Sequence, residues 1–198
     1  MDFQTLYAFV ISSLVLTISP GPDIIYVLSQ SIIKGKKSAI MVSLGLTSGL
    51  LIHTFFVSIG LSLIIIENKE YLFFLKTLSV MYFLYLIFKV YVNRNIDLNF
   101  EKKNTNRNEF YKGLVMNLLN PKVGLFFVAL FPGFLFHNQL SDQTQFFILG
   151  FIFWFQATMI FLIVSVYGPK LNFFKSQKSK FYLVEILIYL VIIYMVIK

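Results

Sequence analysis

The feature that most constrains this chain is a succession of apolar, almost uncharged runs, each close to the roughly 20 residues a helix needs to cross a bilayer. Two of these runs are cut in the middle by proline. Reading for uncharged stretches gives six: Phe3 to Ile33, Ser38 to Ile66, Tyr71 to Val92, Phe110 to Phe136, Gln145 to Tyr167 and Phe181 to Ile197. Only 13% of the 198 residues are charged, against about 25% in ordinary soluble domains. A chain this poor in charge cannot coat a soluble surface. A soluble enzyme, a nucleic-acid binder and a disordered tail are all excluded. The expected fold is an all-α integral membrane domain of six transmembrane helices, with the lipid bilayer as its surroundings.

The net charge of +8 does not mark a nucleic-acid footprint, because its lysines and arginines sit in short gaps between apolar runs. Lys34, Lys36 and Lys37 follow the first run. Arg94, Lys102, Lys103, Arg107 and Lys112 fall in the polar seam after the third, and Lys170, Lys175, Lys178 and Lys180 lie between the fifth and sixth. Those twelve face only Lys69 and Lys198 on the other side. Positive loops stay in the cytoplasm, so both termini are expected outside an inner-membrane protein. The seam 93–109 then links halves 1–92 and 110–198 of one polytopic domain spanning 1–198, and three spans per half make the pair inverted. The N-terminus is read as mature, since Met1-Asp2 gives no basic region and no small-x-small cleavage site precedes Ser19. There is no cysteine, and His53 and His137 are the only histidines. Thiolate chemistry and an imidazole metal cluster are therefore out, and neither metal nor cofactor is expected.

Proline removes a backbone donor and clashes with the preceding turn. Pro20-Gly21-Pro22 does so twice around a glycine, so the first helix must unwind there. Within a membrane, unwound backbone survives only when buried in protein or facing a wet cavity. The half-helix that restarts near Asp23 aims free N–H groups and a positive dipole end at that cavity. Asp23 itself is placed like an N-cap. Asn120-Pro121-Lys122 is the counterpart break, with positive charge. Lys122 either snorkels to the cytoplasmic face, pairs with Asp23, or meets a substrate carboxylate. A negative and a positive group at facing breaks match a zwitterion. Some echo supports the pairing: Pro20 precedes Gly45 and Pro121 precedes Gly150 at similar distances, with His53 and Gln156 following. Broken helices at corresponding places in two halves point to a transporter site.

Ser19-Pro20-Gly21-Pro22-Asp23, then Lys34-Gly35-Lys36-Lys37 and Leu44-Gly45-Leu46-Thr47-Ser48-Gly49 ahead of His53, resemble the LysE/RhtB family of amino-acid exporters. Asn117-Leu118-Leu119-Asn120-Pro121-Lys122, followed by Phe131-Pro132, is similar to that family's second signature. Lys34-Gly35-Lys36-Lys37 has lysine where relatives often carry arginine. The resemblance implies a six-helix inner-membrane efflux protein for amino acids or their derivatives, driven by the proton gradient. The site expected on these grounds comprises Pro20, Gly21, Pro22, Asp23, Asn117, Asn120, Pro121 and Lys122, with Asp23 and His53 as candidates for proton coupling.

The other notable residues have structural alternatives. Gly45-x-x-x-Gly49 allows close helix approach, His53 is either a proton relay or a hydrogen-bonded structural residue, and Glu185 is placed at an interface. Gln156, Asn117 and Asn120 either line a cavity or bridge helices, and Trp154 reads as core. The rival function is a structural or enzymatic membrane subunit. An enzyme would need a nucleophile–base pair or a metal set, and neither is visible. The exported amino acid is not legible, and assembly into a homo-oligomer stays open.

Overall fold

The computed structural model describes residues 2–19, 21–61, 69–92, 108–170 and 178–197, and every structural statement below concerns these. The regular secondary structure among the described residues is all helical. In chain order the α-helices are α1 (Phe3–Ile18), α2 (Pro22–Ile33), α3 (Lys36–Phe56), α4 (Lys69–Val92), α5 (Glu109–Leu118), α6 (Pro121–Leu125), α7 (Asp142–Tyr167) and α8 (Lys178–Ile197). Wider π turns extend α3 through 57–61 and α6 through 126–130, and 3-10 turns follow at 131–134 and 168–170. Most boundaries lie within a few residues of the expected runs. The seam 93–107, the end of the second run and Pro20 fall outside the described residues.

Two long apolar helices, continued into their adjoining turns, run unbroken: Lys36–Gly60 with mean hydropathy 1.8 and Asp142–Lys170 with 2.3. Two more candidate spans are bent pairs, Phe3–Ile18 with Pro22–Ile33 at 50° and Glu109–Leu118 with Pro121–Phe134 at 47°. That makes two to four candidate spans by length and composition among the described residues. Large apolar side chains point outward along these helices, such as Ile11, Phe55, Phe151 and Ile163. Against water such a surface would aggregate. Against lipid tails it costs nothing.

Small residues draw the helices together where no hydrophobic force acts between them. A Cβ on Gly45 would collide with the Phe110 carbonyl, and one on Gly113 with that of Val42. α3 and α5 thus touch backbone to backbone. Gly150 of α7 takes Thr54 of α3 in the same way. The Gly45–Gly49 pair thus provides the close helix approach that its spacing allows. Buried hydroxyls add polar links: Ser31 Oγ donates to the Ser165 carbonyl at 2.7 Å, and Ser43 and Ser165 share a bond of 2.9 Å.

Polar contacts fix which ends coincide. Lys34 Nζ donates to Glu109 at 2.7 Å, joined by Lys112 at 3.3 Å, and Tyr26 adds its hydroxyl at 3.4 Å. Gly168 packs on Ser31. The ends of α2 and α7 and the start of α5 therefore share one lysine-rich end. At the opposite end the Asp2 amide donates to the Phe136 carbonyl at 2.7 Å. There the Gln145 side chain accepts from the amides of Phe136 and His137 and donates to the carbonyls of His137 and Leu140, clamping one loop with four bonds. Between that end and the second break lies an aromatic plug. Phe9 meets Phe131 at 5.2 Å and Phe134 at 5.3 Å edge to face, and Phe126 meets Phe153 at 5.2 Å.

Candidate functional site

The two breaks meet. A small cavity of about 30 Å³, room for a water or two, is lined by Ser19, Gly21, Pro22 and Asp23 from the first break and by Asn120 and Lys122 from the second. Asn117 from α5 and an apolar wall that includes Leu50, Phe153 and Phe161 close it. α1 has 16 residues and so rises about 24 Å. α5 has 10, rising about 15 Å from the lysine-rich end. The cavity thus sits nearer that end than the middle.

Each break is built differently. α2 begins with Gly21 as N-cap and Pro22 in its first turn, and no side chain caps its amides. Asp23 is therefore not the cap that its position suggests. It lies one residue beyond Pro22, where Pro22's fixed φ starts the turn, and its carboxylate turns into the protein, 9% exposed. There Asn117 Nδ2 donates to Asp23 Oδ2 at 3.4 Å. Asp23 Oδ1 and Ser19 Oγ, both buried, accept or donate no hydrogen bond. At the second break Asn120 caps α6, its Oδ1 accepting from the Lys122 amide at 3.0 Å.

Lys122 is 5% exposed, so it does not snorkel to the cytoplasmic face. Its ammonium donates to the Ser19 carbonyl at 3.2 Å and stands 5.6 Å over the Tyr189 ring. Lys122 directly follows Pro121 in the first turn of α6, so its side chain starts at the second break and reaches across to the Ser19 carbonyl of the first. The ion pairs among the described residues are those of Glu109 with Lys34 and Lys112, so Asp23 and Lys122 share the cavity without a direct salt bridge.

The remaining expected residues divide. Pro20 lies outside the described residues, and Pro121 opens α6 without reaching the cavity wall. His53 is behind Asn117, its Nε2 at 3.5 Å from the Asn117 carbonyl and its ring stacked on Phe127 at 5.3 Å. Gln156 bridges helices: it accepts from Ser13 at 2.6 Å and donates to the Val10 carbonyl at 3.4 Å. Trp154 is half-buried against Phe151 at 5.3 Å rather than fully in the core. The side chain of Glu185 is outside what the structure describes. Residues that sequence reasoning left out of the site are Ser19, whose hydroxyl had no distinguishing context, and Leu50, Phe153 and Phe161, hidden on helices apolar all round.

The chain matches the LysE type translocator family over residues 14–198. It is 31% identical over 152 residues to the homoserine/homoserine lactone efflux protein of Salmonella typhimurium (strain LT2), covering 76% of this chain and 73% of that protein. The protein of the same name from Salmonella typhi matches to the same extent. The uncharacterized membrane protein YrhP of Bacillus subtilis (strain 168) is 28% identical over 172 residues, 81% of each chain. No solved structure matches. A family match over nearly the whole length, together with apolar helices broken around a polar cavity, describes a membrane transporter and not an enzyme: the chain belongs to the LysE type translocator family.

Proposed function

We propose that this protein exports amino acids or amino-acid derivatives across the inner membrane, through the cavity between its two broken helices and at the expense of the proton gradient. Two relatives carry homoserine and homoserine lactone efflux in their names, and small solutes of that kind are the substrates we assign. The observation that carries the reading is the convergence of Asp23, Asn117, Asn120 and Lys122 on one small cavity. Opposite charges kept apart in a partly dehydrated site suit a zwitterion, with Asp23 toward the ammonium and Lys122 with the α2 dipole toward the carboxylate. Gly21 and Pro22, the latter beside Asp23, shape the turn, and Asp23 and His53 are the groups we assign to proton coupling. The cavity is too small for an amino acid in this conformation, so loading requires the half-helices to part.

We read the architecture as six spans in two inverted halves. Reciprocal packing supports this. α3 lays Gly45 and His53 against α5, the arm before the second break, while Gln156 of α7 bonds to α1, the arm before the first. The lysine-rich end faces the cytoplasm in this reading, with both termini outside.

Efflux from proteoliposomes tests the site. Asp23→Asn and Lys122→Met should each abolish export while the protein still inserts. Near-normal export by either removes that residue from the site. Recovery in the double variant would mean a structural ion pair instead of substrate contacts. Single cysteines at Ser141 and Ser176 test the orientation, since an impermeant thiol reagent outside the cell should label only the first.

A further inference from the structure

We propose that the cavity selects its ligand by a primary ammonium group, held between Asp23 Oδ1 and the Ser19 hydroxyl, and that a free carboxylate on the ligand is not required. This rests on the reading of the cavity as the substrate site and adds which end of the substrate it demands.

The unmet hydrogen-bonding capacity of the site is lopsided. Asp23 Oδ1 and Ser19 Oγ are buried in residues that line the cavity, and neither has a partner. Leaving such atoms unsatisfied costs about 1–3 kcal/mol each, and more for a charged group. Asn117 Nδ2, 3.4 Å from the other oxygen, and the nearby Asn120 side chain orient the Asp23 carboxylate. Asn117 Oδ1 is also unpartnered, but it abuts Gly49, whose added Cβ would come within 2.5 Å of it. We therefore assign that oxygen to helix packing. What the ligand must bring is a set of donors. A primary ammonium has three and accepts nothing.

The cationic side of the cavity is already engaged. Lys122 Nζ donates to the Ser19 carbonyl and lies over the Tyr189 ring. A ligand carboxylate would share this cation with standing partners, whereas the ammonium meets atoms with none. The carboxylate thus adds affinity without being required, the ammonium decides entry, and Lys122 is needed in either case because it holds the Ser19 carbonyl in place. An amino acid and its lactone, ester or amide would be accepted alike. An N-acylated derivative would not, because acylation removes the charge and two of the donors.

The test uses the purified full-length chain in detergent and reads thermal stabilisation at pH 6 across four compounds. These are L-homoserine, L-homoserine lactone, N-acetyl-L-homoserine and γ-butyrolactone. The first two should bind within about tenfold of each other, and the last two at least about a hundredfold more weakly. Ser19→Ala, which removes a single oxygen, should weaken both amines about tenfold while leaving the melting temperature of the ligand-free protein unchanged. N-acetyl-homoserine binding as well as homoserine would overturn the proposal. So would failure of the lactone to bind, or stabilisation by none of the four. If the amines bind but are not moved by proteoliposomes, ammonium selection stands and the export reading falls.

Discussion

The two helix breaks share a bend near 50° and a proline at the restart, yet their restarting half-helices are capped differently. At the second, the Asn120 side chain caps α6, the Leu119 amide donates to Val115, and Val123 and Gly124 donate to the Asn120 carbonyl. At the first, a glycine stands at the cap, no side chain satisfies the amides, and two polar side-chain oxygens have no partner. A break that satisfies itself can hold position. A break that does not is waiting for something else. In the function proposed above, the first break presents the unpartnered oxygens to the ligand, and the second holds position while carrying Lys122 to the same cavity.

The strongest way to break this comparison is to pull the scaffold from its support. Gly45→Ala places a methyl against the Phe110 carbonyl and 2.9 Å from the Leu114 amide, neither of which can move without separating α3 from α5. Loss of monodisperse protein on gel filtration is expected, with a cost of about 3 kcal/mol or more by analogy with overpacked cores. Next comes the carboxylate's support. Asn117→Ser keeps a small polar group but loses the amide on Asp23, and amine affinity should fall about tenfold, as removal of one charge-assisted bond implies. Unchanged binding would mean that Asp23 needs no positioning.

A smaller effect sharpens the scaffold assignment. Asn120→Ala should lower stability by about 1 kcal/mol, the usual worth of a lost cap, and Asn120→Ser should restore most of it. Both are read by thermal melting. An N-capping residue introduced at the first break, Gly21→Ser, should by contrast interfere with ligand binding more than it stabilises. The smallest effect belongs to the lysine-rich end. Lys34→Ala removes an ion pair whose partners are about one-fifth exposed. The loss should stay below about 1 kcal/mol and shrink in high salt.

The breaks themselves were legible because proline and glycine act locally. Pro22 and Pro121 open α2 and α6 whatever surrounds them. Span limits were legible for the same kind of reason, since a charge ends an apolar run. The direction of side chains was not. Asp23 looks like a cap until Gly21 is seen to occupy that place, and Lys122 looks able to reach water until its ammonium is seen buried on the Ser19 carbonyl. The apolar wall of Leu50, Phe153 and Phe161 could not be picked out either, because these helices are apolar on every face and periodicity carries no signal.

The π turn at 126–130 has a geometric consequence. Its amide ladder runs five residues back, with Phe131 donating to the Phe126 carbonyl, so it stores one residue more than an α turn would. Passing that residue along the helix changes no length to speak of. It rotates the residues that it passes by about 100°, one residue's share of an α turn. Phe131 and Phe134 lie just beyond, with their rings edge-on to Phe9. Carried past Phe134, such a step would swing both rings off Phe9 together, by rotation rather than by separating helices.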